Sequence, residues 1–515
     1  MRLLDGLDQA QFDAVTSPAA PLCILAGPGS GKTRVLTRRI AYRIQSGQAE
    51  PARTLAVTFA RRAAVELRTR LAHLGVGPSE GVAVGTLHSL AYAHLRQYWD
   101  DRGKRTPRII DNSRRGLTAE EKRRRGVIDF EDVLTLFADT VRADAGFAEA
   151  VRWFRRHIYV DEFQDVTPAQ FDAVMAWVGQ GTDLCVVGDP DQSIYGWSGA
   201  DPDLMASLPQ RFPSLHVVRL DANYRSSRAI VHAAEAVLGR TTSTTTTDDA
   251  IGGAVTTVPT LAGYATEADE AVAVARQVRL AHAPNTAWSR VAVLARTNAR
   301  LDLVADALRA AAIPVHIAGR TPLLARPAVR DGLGRLHPGA AASDEACHLR
   351  ALAHDYSDPA DQQALHEVAD MAAQFDALSP GGSAAAFIDW LPTTRAGDPA
   401  ASSDAVVLAT FHKAKGLEWQ TVFVVGANPG LVPLDSGHPD EERRLLYVAM
   451  TRAERTLHVS YVGEPSPFLP AGFRAAPPAE PSDDTASPKD ELARMRMRLA
   501  QIDGPVMAPR RRRPA

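Results

Sequence analysis

The octapeptide AGPGSGKT, Ala26 to Thr33, constrains the fold more than any other stretch of this chain. It lies between an apolar run that reads as a strand, PLCILAG, and a helical pattern, GKTRVLTRRIAYRI. Strand, glycine-rich loop and helix in that order form the context of a phosphate-binding loop. The small residues Ala26, Gly27, Pro28, Gly29, Ser30 and Gly31 let backbone N–H groups surround phosphate oxygens, and the helix N-terminus beyond them favours an anion. Lys32 is placed to neutralise β- and γ-phosphates, and Thr33 to ligate Mg²⁺. Ala26 stands where the general pattern has its first glycine, a mild departure. The competing reading is a strand–helix turn with no ligand, and the complete Gly-Lys-Thr in its proper context argues against it.

The same alternation recurs along the chain. RTLAVTF precedes ARRAAVELRTRLAHL, HIYVDEF precedes TPAQFDAVMAWV, and LHVVRL precedes SSRAIVHAAEAVL. After the low-complexity TTSTTTTDDA a second series begins, with SRVAVLAR before LDLVADALRAAAI, DAVVLATF before TVFVVGA, and EERRLLYVAMTRA before LHVSYV. Strands alternating with helices predict parallel α/β sheets flanked by helices. With 515 residues, too many for one core, two α/β domains joined near 240–255 are expected. The first is drawn over 1–87 and 128–245, the second over 246–336 and 405–475. Small, mostly helical insertions interrupt them at 88–127 and 337–404, and the Pro-rich, charged stretch 476–515 reads as a disordered tail.

Composition narrows the function by exclusion. A net charge of −2 gives no overall basic signal, so contact with nucleic acid must use local patches. The start MRLLDGLDQAQFDAV has no apolar core long enough for a signal peptide, and no later run approaches a membrane span. Cys23, Cys185 and Cys347 form neither a disulfide framework nor a metal cluster. A cytoplasmic protein without a membrane partner is expected.

YVDEFQD, Tyr159 to Asp165, puts Asp161 and Glu162 at the end of an apolar strand. Asp161 is assigned to the metal, and Glu162 to orienting and deprotonating an attacking water. Alone, such a pair reads as solvated surface; downstream of a P-loop it reads as the second half of an NTPase. A third strand end carries VVGDPDQSIYGWSGA, where Gln192 is placed to sense a γ-phosphate. Tyr195 and Trp197 follow on the same loop. Two uses remain open for them, stacking on bases or packing in a domain interface.

Taken in order, these motifs resemble the UvrD/Rep/PcrA family of superfamily 1 DNA helicases across most of the chain. LDQAQFDAV resembles that family's Q-motif, which implies that Gln11 reads adenine, and GKTR puts Arg34 where relatives stack a guanidinium on the base. LAVTFARRAAVELRTRL resembles motif Ia and GTLHSLAY the DNA-contact motif after it, while DEFQD and GDPDQSIYGWSGA resemble motifs II and III. LDANYRSS resembles motif IV, implying Tyr224 against adenine and Arg225 on the γ-phosphate. LATFHKAKGLEW, with Glu418 among the nucleotide contacts, resembles motif V, and EERRLLYVAMTRA motif VI, with Arg452 as a second arginine finger. The resemblance implies two RecA-like P-loop motor domains, with ATP and Mg²⁺ bound between them. Both arginines are expected to reach the nucleotide from the second domain. It implies DNA contacts by Phe59, Thr86, His88, Tyr195 and Trp197 on one motor and by Arg296, Asn298 and His412 on the other. Movement along single-stranded DNA with 3′–5′ polarity, engagement of single-strand/duplex junctions, and work in DNA repair or replication restart follow by the same analogy.

Two departures stand out. Ser198 occupies the position after the motif III tryptophan, where relatives usually carry arginine, and both insertions are short. A slimmed motor is expected, and an ATP-gated single-strand clamp or protein-displacement factor with little unwinding is the alternative. A small-molecule P-loop kinase is the third class, and it has no use for two arginine fingers. The cluster Arg114, Arg115, Lys122, Arg123, Arg124 and Arg125 reads equally as a duplex-phosphate contact or a solvated helix face, being interleaved with Glu120 and Glu121.

Overall fold

The computed structural model describes residues 3–59, 61–110, 116–179, 181–240, 245–246, 258–282, 286–319, 323–356, 358–379, 381–394, 404–470 and 473–475. Arg114, Arg115 and the tail 476–515 lie outside them.

Six strands form a first sheet: β1 (Leu22–Ala26), β2 (Thr54–Thr58), β3 (Ala83–Thr86), β4 (His157–Val160), β5 (Asp183–Gly188) and β6 (His216–Leu220). Their order is β3-β2-β4-β5-β1-β6, and every pairing is parallel. All residues of β2, β4 and β5 are buried, as a sheet covered on both faces requires. The period-2 alternation of strand side chains divides the apolar residues between two cores. Leu22, Ile24, Tyr159, Cys185 and Val187 face the helices Gln9–Thr16 and Lys32–Gln45, whereas Cys23, Ile158, Val160, Leu184 and Val186 face the helices Asp132–Ala143 and Pro168–Trp177.

A second parallel sheet is built from β7 (Thr260–Tyr264), β8 (Val291–Ala295), β9 (Val315–Ile317), β10 (Val406–Thr410), β11 (Trp419–Val425), β12 (Ala453–Val462) and β13 (Arg474–Ala475). Its order is β9-β10-β8-β11-β12-β7-β13. The helices Glu267–Ala281 and Asn298–Ala310 cover one face, and Pro439–Met450 covers the other. Two parallel sheets flanked by helices are the fold expected from the strand–helix alternation.

The boundaries drawn from sequence differ in three places. Helix Leu87–Asp101, placed almost wholly inside the first insertion, buries Leu87, Ala91, Leu95 and Trp99 in the first sheet's core. Helix Arg228–Val237, placed with the first domain, buries Ile230, Ala234 and Val237 in the second sheet's core beside helix Pro439–Met450. The second insertion has its own helical core, which begins at Leu323 rather than near 337 and runs to Leu391. In each case the apolar face of a helix, not a shift in composition, decides membership. Among the described residues no helix is long and apolar enough to cross a membrane.

Candidate active site

The P-loop, the acidic pair and the Asp189 loop each follow the carboxyl end of a strand, where loops of a parallel sheet converge. β1 runs into the P-loop, β4 into Asp161, and β5 into Asp189. Gly29 and Gly31 take φ of 73° and 82°, and a Cβ at Gly29 would lie 2.7 Å from Asn223 Oδ1. Only glycine fits there. Lys32 Nζ donates to the Ala26 carbonyl at 3.1 Å and lies 3.8 Å from Asp189 Oδ2. The Ser30 hydroxyl donates to the Gly27 carbonyl at 2.7 Å, which tightens the loop.

Thr33 Oγ1 donates to Asp161 Oδ2 at 3.4 Å, so the two metal candidates are neighbours. A hydroxyl beside a single carboxylate fits a hard, oxygen-loving cation that draws its remaining ligands from phosphate and water. Among the described residues no group of three or more His, Cys, Asp or Glu could hold a metal by itself. Burial and the neighbouring Glu162 charge push the Asp161 carboxyl above the usual carboxylate range. Burial would also raise Glu162, but the Lys32 and Lys415 ammoniums outweigh it and hold that carboxylate low. Glu162 has φ of 52°, a left-handed conformation uncommon outside glycine.

Gln11, Arg34 and Tyr224 gather at the other end of the loop. Gln11 closes the cap of helix Gln9–Thr16 and donates from Nε2 to the Ser30 carbonyl at 2.8 Å. Arg34 donates to the Gly6 carbonyl at 2.9 Å, and the Tyr224 hydroxyl donates to Asp8. Tyr224 also donates its backbone N–H to the Gly29 carbonyl at 2.9 Å, and Asn223 Nδ2 donates to the Pro28 carbonyl at 2.7 Å.

Those bonds correct one expectation. Arg225 does not arrive from the second sheet's side. It sits on the segment that leaves β6, stitched to the P-loop through Asn223 and Tyr224. The same segment then bonds the second sheet, Ser226 Oγ donating to the Ala453 carbonyl at 2.6 Å and Ser227 N–H to the Glu454 carbonyl at 2.9 Å. Arg225 Nε pairs with Glu418 Oε2 at 2.6 Å. Arg452 does come from the second sheet, between helix Pro439–Met450 and β12. Its fully buried guanidinium donates to the Val448 and Leu417 carbonyls at 2.9 and 3.2 Å and to Thr451 Oγ1 at 3.2 Å. Burial, reinforced by the like charge of Arg225, pulls its pKa down to about 9. Two guanidiniums close enough to feel one another's charge give this end of the site a positive potential that suits an anion.

The loop after β5 joins this site to a second one. Gln192 is buried and donates to Asp189 Oδ2 at 2.5 Å. Lys415 donates to the Gln192 carbonyl at 2.7 Å and pairs with Asp165, and Arg444 donates to the Ser193 carbonyl at 2.7 Å. Ile194 is wholly buried in the second sheet's core. Tyr195 packs against that core, while the Trp197 ring, 72% exposed, stays open to solvent.

Trp197, Tyr195 and His412 form a cluster with ring centroids 6.1–6.4 Å apart. Together with Arg296 and Asn298 they line a cavity of ≈ 650 Å³. Five of the eight DNA-contact candidates thus converge. Sequence reasoning missed four further lining residues, Thr297, Thr410, Lys413 and Lys415, although the last three stand inside the quoted LATFHKAKGLEW. Arg296 is less available than its charge suggested, because it binds Glu442 through two nitrogens at 2.7–3.1 Å. Phe59, Thr86 and His88 do not line this cavity. Phe59 packs on the first core, Thr86 caps helix Leu87–Asp101, and His88 stacks on Phe130 at 3.9 Å. In the basic cluster, Lys122 is taken up by Asp129 and Asp132 at 2.8 and 2.6 Å.

Comparison with known proteins bears on this arrangement. The family model described as the UvrD/REP helicase N-terminal domain matches residues 7–118 and 116–213, and that of the UvrD-like helicase C-terminal domain matches 218–374 and 393–464. The chain belongs to the UvrD-like helicase family. It is 31% identical to the ATP-dependent DNA helicase UvrD2 of Mycobacterium tuberculosis over 90% of this chain and 80% of that protein. It is 26% identical to DNA helicase II of Escherichia coli, with 89% and 85% covered, and 29% identical to the ATP-dependent DNA helicase PcrA of Leuconostoc citreum, with 89% and 82% covered. The resemblance read from the motifs is borne out, and the two sheets correspond to the two RecA-like units of a UvrD-like helicase.

Proposed function

We propose that this chain is an ATP-dependent DNA helicase that translocates along single-stranded DNA in the 3′–5′ direction, acting in DNA repair or replication restart. The observation that carries the reading is the loop Asp189–Ala200, which reaches from the P-loop lysine to the aromatic cavity. Lys32 lies near Asp189, Asp189 holds Gln192, and four residues beyond Asp191 the ring of Tyr195 borders the cavity with Trp197.

In this reading Ala26–Gly31 cradle the triphosphate of ATP, Gln11, Arg34 and Tyr224 border its base, and Lys32 neutralises β- and γ-oxygens. Thr33 and Asp161 hold Mg²⁺, which supplies charge neutralisation on the phosphates. Glu162 orients the attacking water and takes its proton. Gln192 reports the terminal phosphate, and Arg225 and Arg452 steady the charge that develops on it. Arg225 then exchanges Glu418 for the phosphate. Loss of the γ-phosphate returns Arg225 to Glu418 and removes the anion that both arginines hold, which favours opening of the cleft. Tyr195, Trp197, Asn298 and His412 hold bases and sugars of one strand across both units, and Arg296 buttresses them through Glu442. Lys413 supplies positive charge at the cavity, whereas Lys415 is already paired with Asp165.

The test is ATP turnover with and without an oligonucleotide, beside strand separation on forked duplexes carrying either a 3′ or a 5′ tail. Turnover stimulated by single strands and separation of the 3′-tailed fork are expected. Strong stimulation without separation would favour the clamp or displacement reading, to which the compact helical core Leu323–Leu391 lends support.

A further inference from the structure

Gln164, two residues beyond the proposed base, uses both ends of its side-chain amide. The residue is fully buried. Nε2 donates to Glu162 Oε2 at 2.5 Å, and Oε1 accepts from the Asp189 backbone N–H at 2.9 Å. Its own carbonyl accepts from Ser193 Oγ at 3.1 Å. One residue therefore touches the carboxylate that meets the water and two separate points of the loop that ends in the aromatic cavity. The surroundings are shaped for this contact. A Cβ at Gly188 would stand 2.6 Å from Gln164 Oε1, so the last residue of β5 leaves the amide its room. Glu162 is held in a left-handed backbone conformation that needs outside support. At the far end, Arg444 grips the Ser193 carbonyl at 2.7 Å and Ile194 is anchored in the second core.

We propose that Gln164 is a positioning residue that aims the Glu162 carboxylate according to the state of the Asp189–Ala200 loop, so that stimulation of ATP turnover by single-stranded DNA passes through it. This rests on the reading in which Glu162 is the base and the aromatic cavity holds DNA. An amide suits the task because it donates and accepts at once and carries no charge. Glutamate at this position would keep the acceptor for Asp189 N–H but set a second carboxylate against Glu162. Methionine would fill the volume and make neither bond. When a strand settles on Tyr195 and Trp197, movement of the loop shifts the Asp189 N–H and Ser193 hydroxyl, and the amide transmits that shift to the carboxylate. A displacement on the order of 1 Å at a reacting group changes rate by about a hundredfold.

The experiment compares Gln164→Met, Gln164→Glu and Gly188→Ala with the unaltered full chain. Steady-state ATPase is measured with and without an oligo-dT strand, and direct binding with a fluorescent ATP analogue and a labelled oligo-dT. DNA-stimulated kcat is expected to fall roughly 10- to 100-fold in both Gln164 variants, the worth of one hydrogen bond to a charged group. The KM for ATP and both binding affinities should hold within about twofold, and turnover without DNA should fall less, so that the stimulation ratio collapses. Gly188→Ala, which leaves the amide in place but crowds it, should show the same pattern in weaker form. A scaffold residue would instead lose nucleotide or DNA affinity while keeping the ratio, and that result, or an unchanged ratio in all three variants, overturns the proposal. Glu162→Gln is run in parallel. If it still turns over, the assignment of the base is at fault; if it is dead while Gln164→Met is fully stimulated, the relay alone is refuted.

Discussion

Replacing Trp197 with alanine tests the nucleic-acid end of the site with little disturbance to the fold. The side chain is 72% exposed, and its ring meets the Tyr195 and His412 rings only at centroid distances above 6 Å. Little packing is lost, and exposed substitutions of this kind usually change stability by no more than about 0.5 kcal/mol. If the ring stacks on one base, its removal costs about 1–3 kcal/mol of binding. That range corresponds to a roughly 5- to 150-fold weaker affinity for single-stranded DNA. In a coupled ATPase assay the oligo-dT concentration giving half-maximal stimulation should rise by that factor. Turnover without DNA and the KM for ATP should stay put, because Trp197 has no contact with the P-loop residues. Fluorescence anisotropy of a labelled oligo-dT gives the affinity independently. The reasoning fails if DNA affinity is unchanged, or if basal turnover drops in step with stimulated turnover. In either case the exposed indole is not a base platform.

Lys32→Ala should abolish ATP hydrolysis, and Glu162→Gln should keep nucleotide binding while blocking turnover; a fluorescent ATP analogue separates the two effects. Glu442→Ala should destabilise the protein by about 3–5 kcal/mol, because it strands the Arg296 guanidinium beside a nearly closed core, and the urea midpoint reads that loss. Between about pH 6.5 and pH 4 the buried histidines His94 and His458 should cost stability, while the raised carboxyls of Asp161 and Asp165 act in the opposite sense. Burial lowers His94 and His458 from 6.5 to about 4, so below 6.5 the unfolded chain takes up protons that the folded chain refuses. The cost is on the order of 2 kcal/mol for each histidine by pH 5. The histidine contribution is read by difference: the urea midpoint of His94→Gln should fall less from pH 7 to pH 5 than that of the unaltered chain, and equal changes in the two would refute it.

What the sequence made legible was local. The P-loop, the acidic pair and the aromatic loop each announce themselves within about ten residues, because strand end, loop and helix start are fixed by neighbours in the chain. Their convergence then follows from parallel pairing, which brings the carboxyl ends of β1, β4 and β5 side by side. What stayed hidden depends on partners far along the chain. Arg296 reads as a free cation until Glu442, 146 residues away, is seen to hold it. Lys122 reads as part of a basic run until Asp129 and Asp132 close on it. An amphipathic pattern such as Arg228–Val237 states that one face is buried without stating against what, so only the structure shows that the helix joins the second sheet.

The two halves are linked by more than one crossing of the chain. Two segments of the first sheet's side end in the second. One is the loop that plants Ile194 in the second core, and the other is Asn223–Arg228, which bonds the P-loop with its first residues and β12 with its next. Arg225 lies between those two sets of bonds, so its position is fixed by both halves at once. Arg452 is fixed by the second half alone. A rotation of the second sheet would move Arg452 with its full amplitude, while Arg225 would be held back by Tyr224 and Asn223 at the P-loop. The two arginines are consequently unequal. In the proposed function Arg225 is suited to sense whether the nucleotide is present, and Arg452, buried in the second half, whether the cleft is closed.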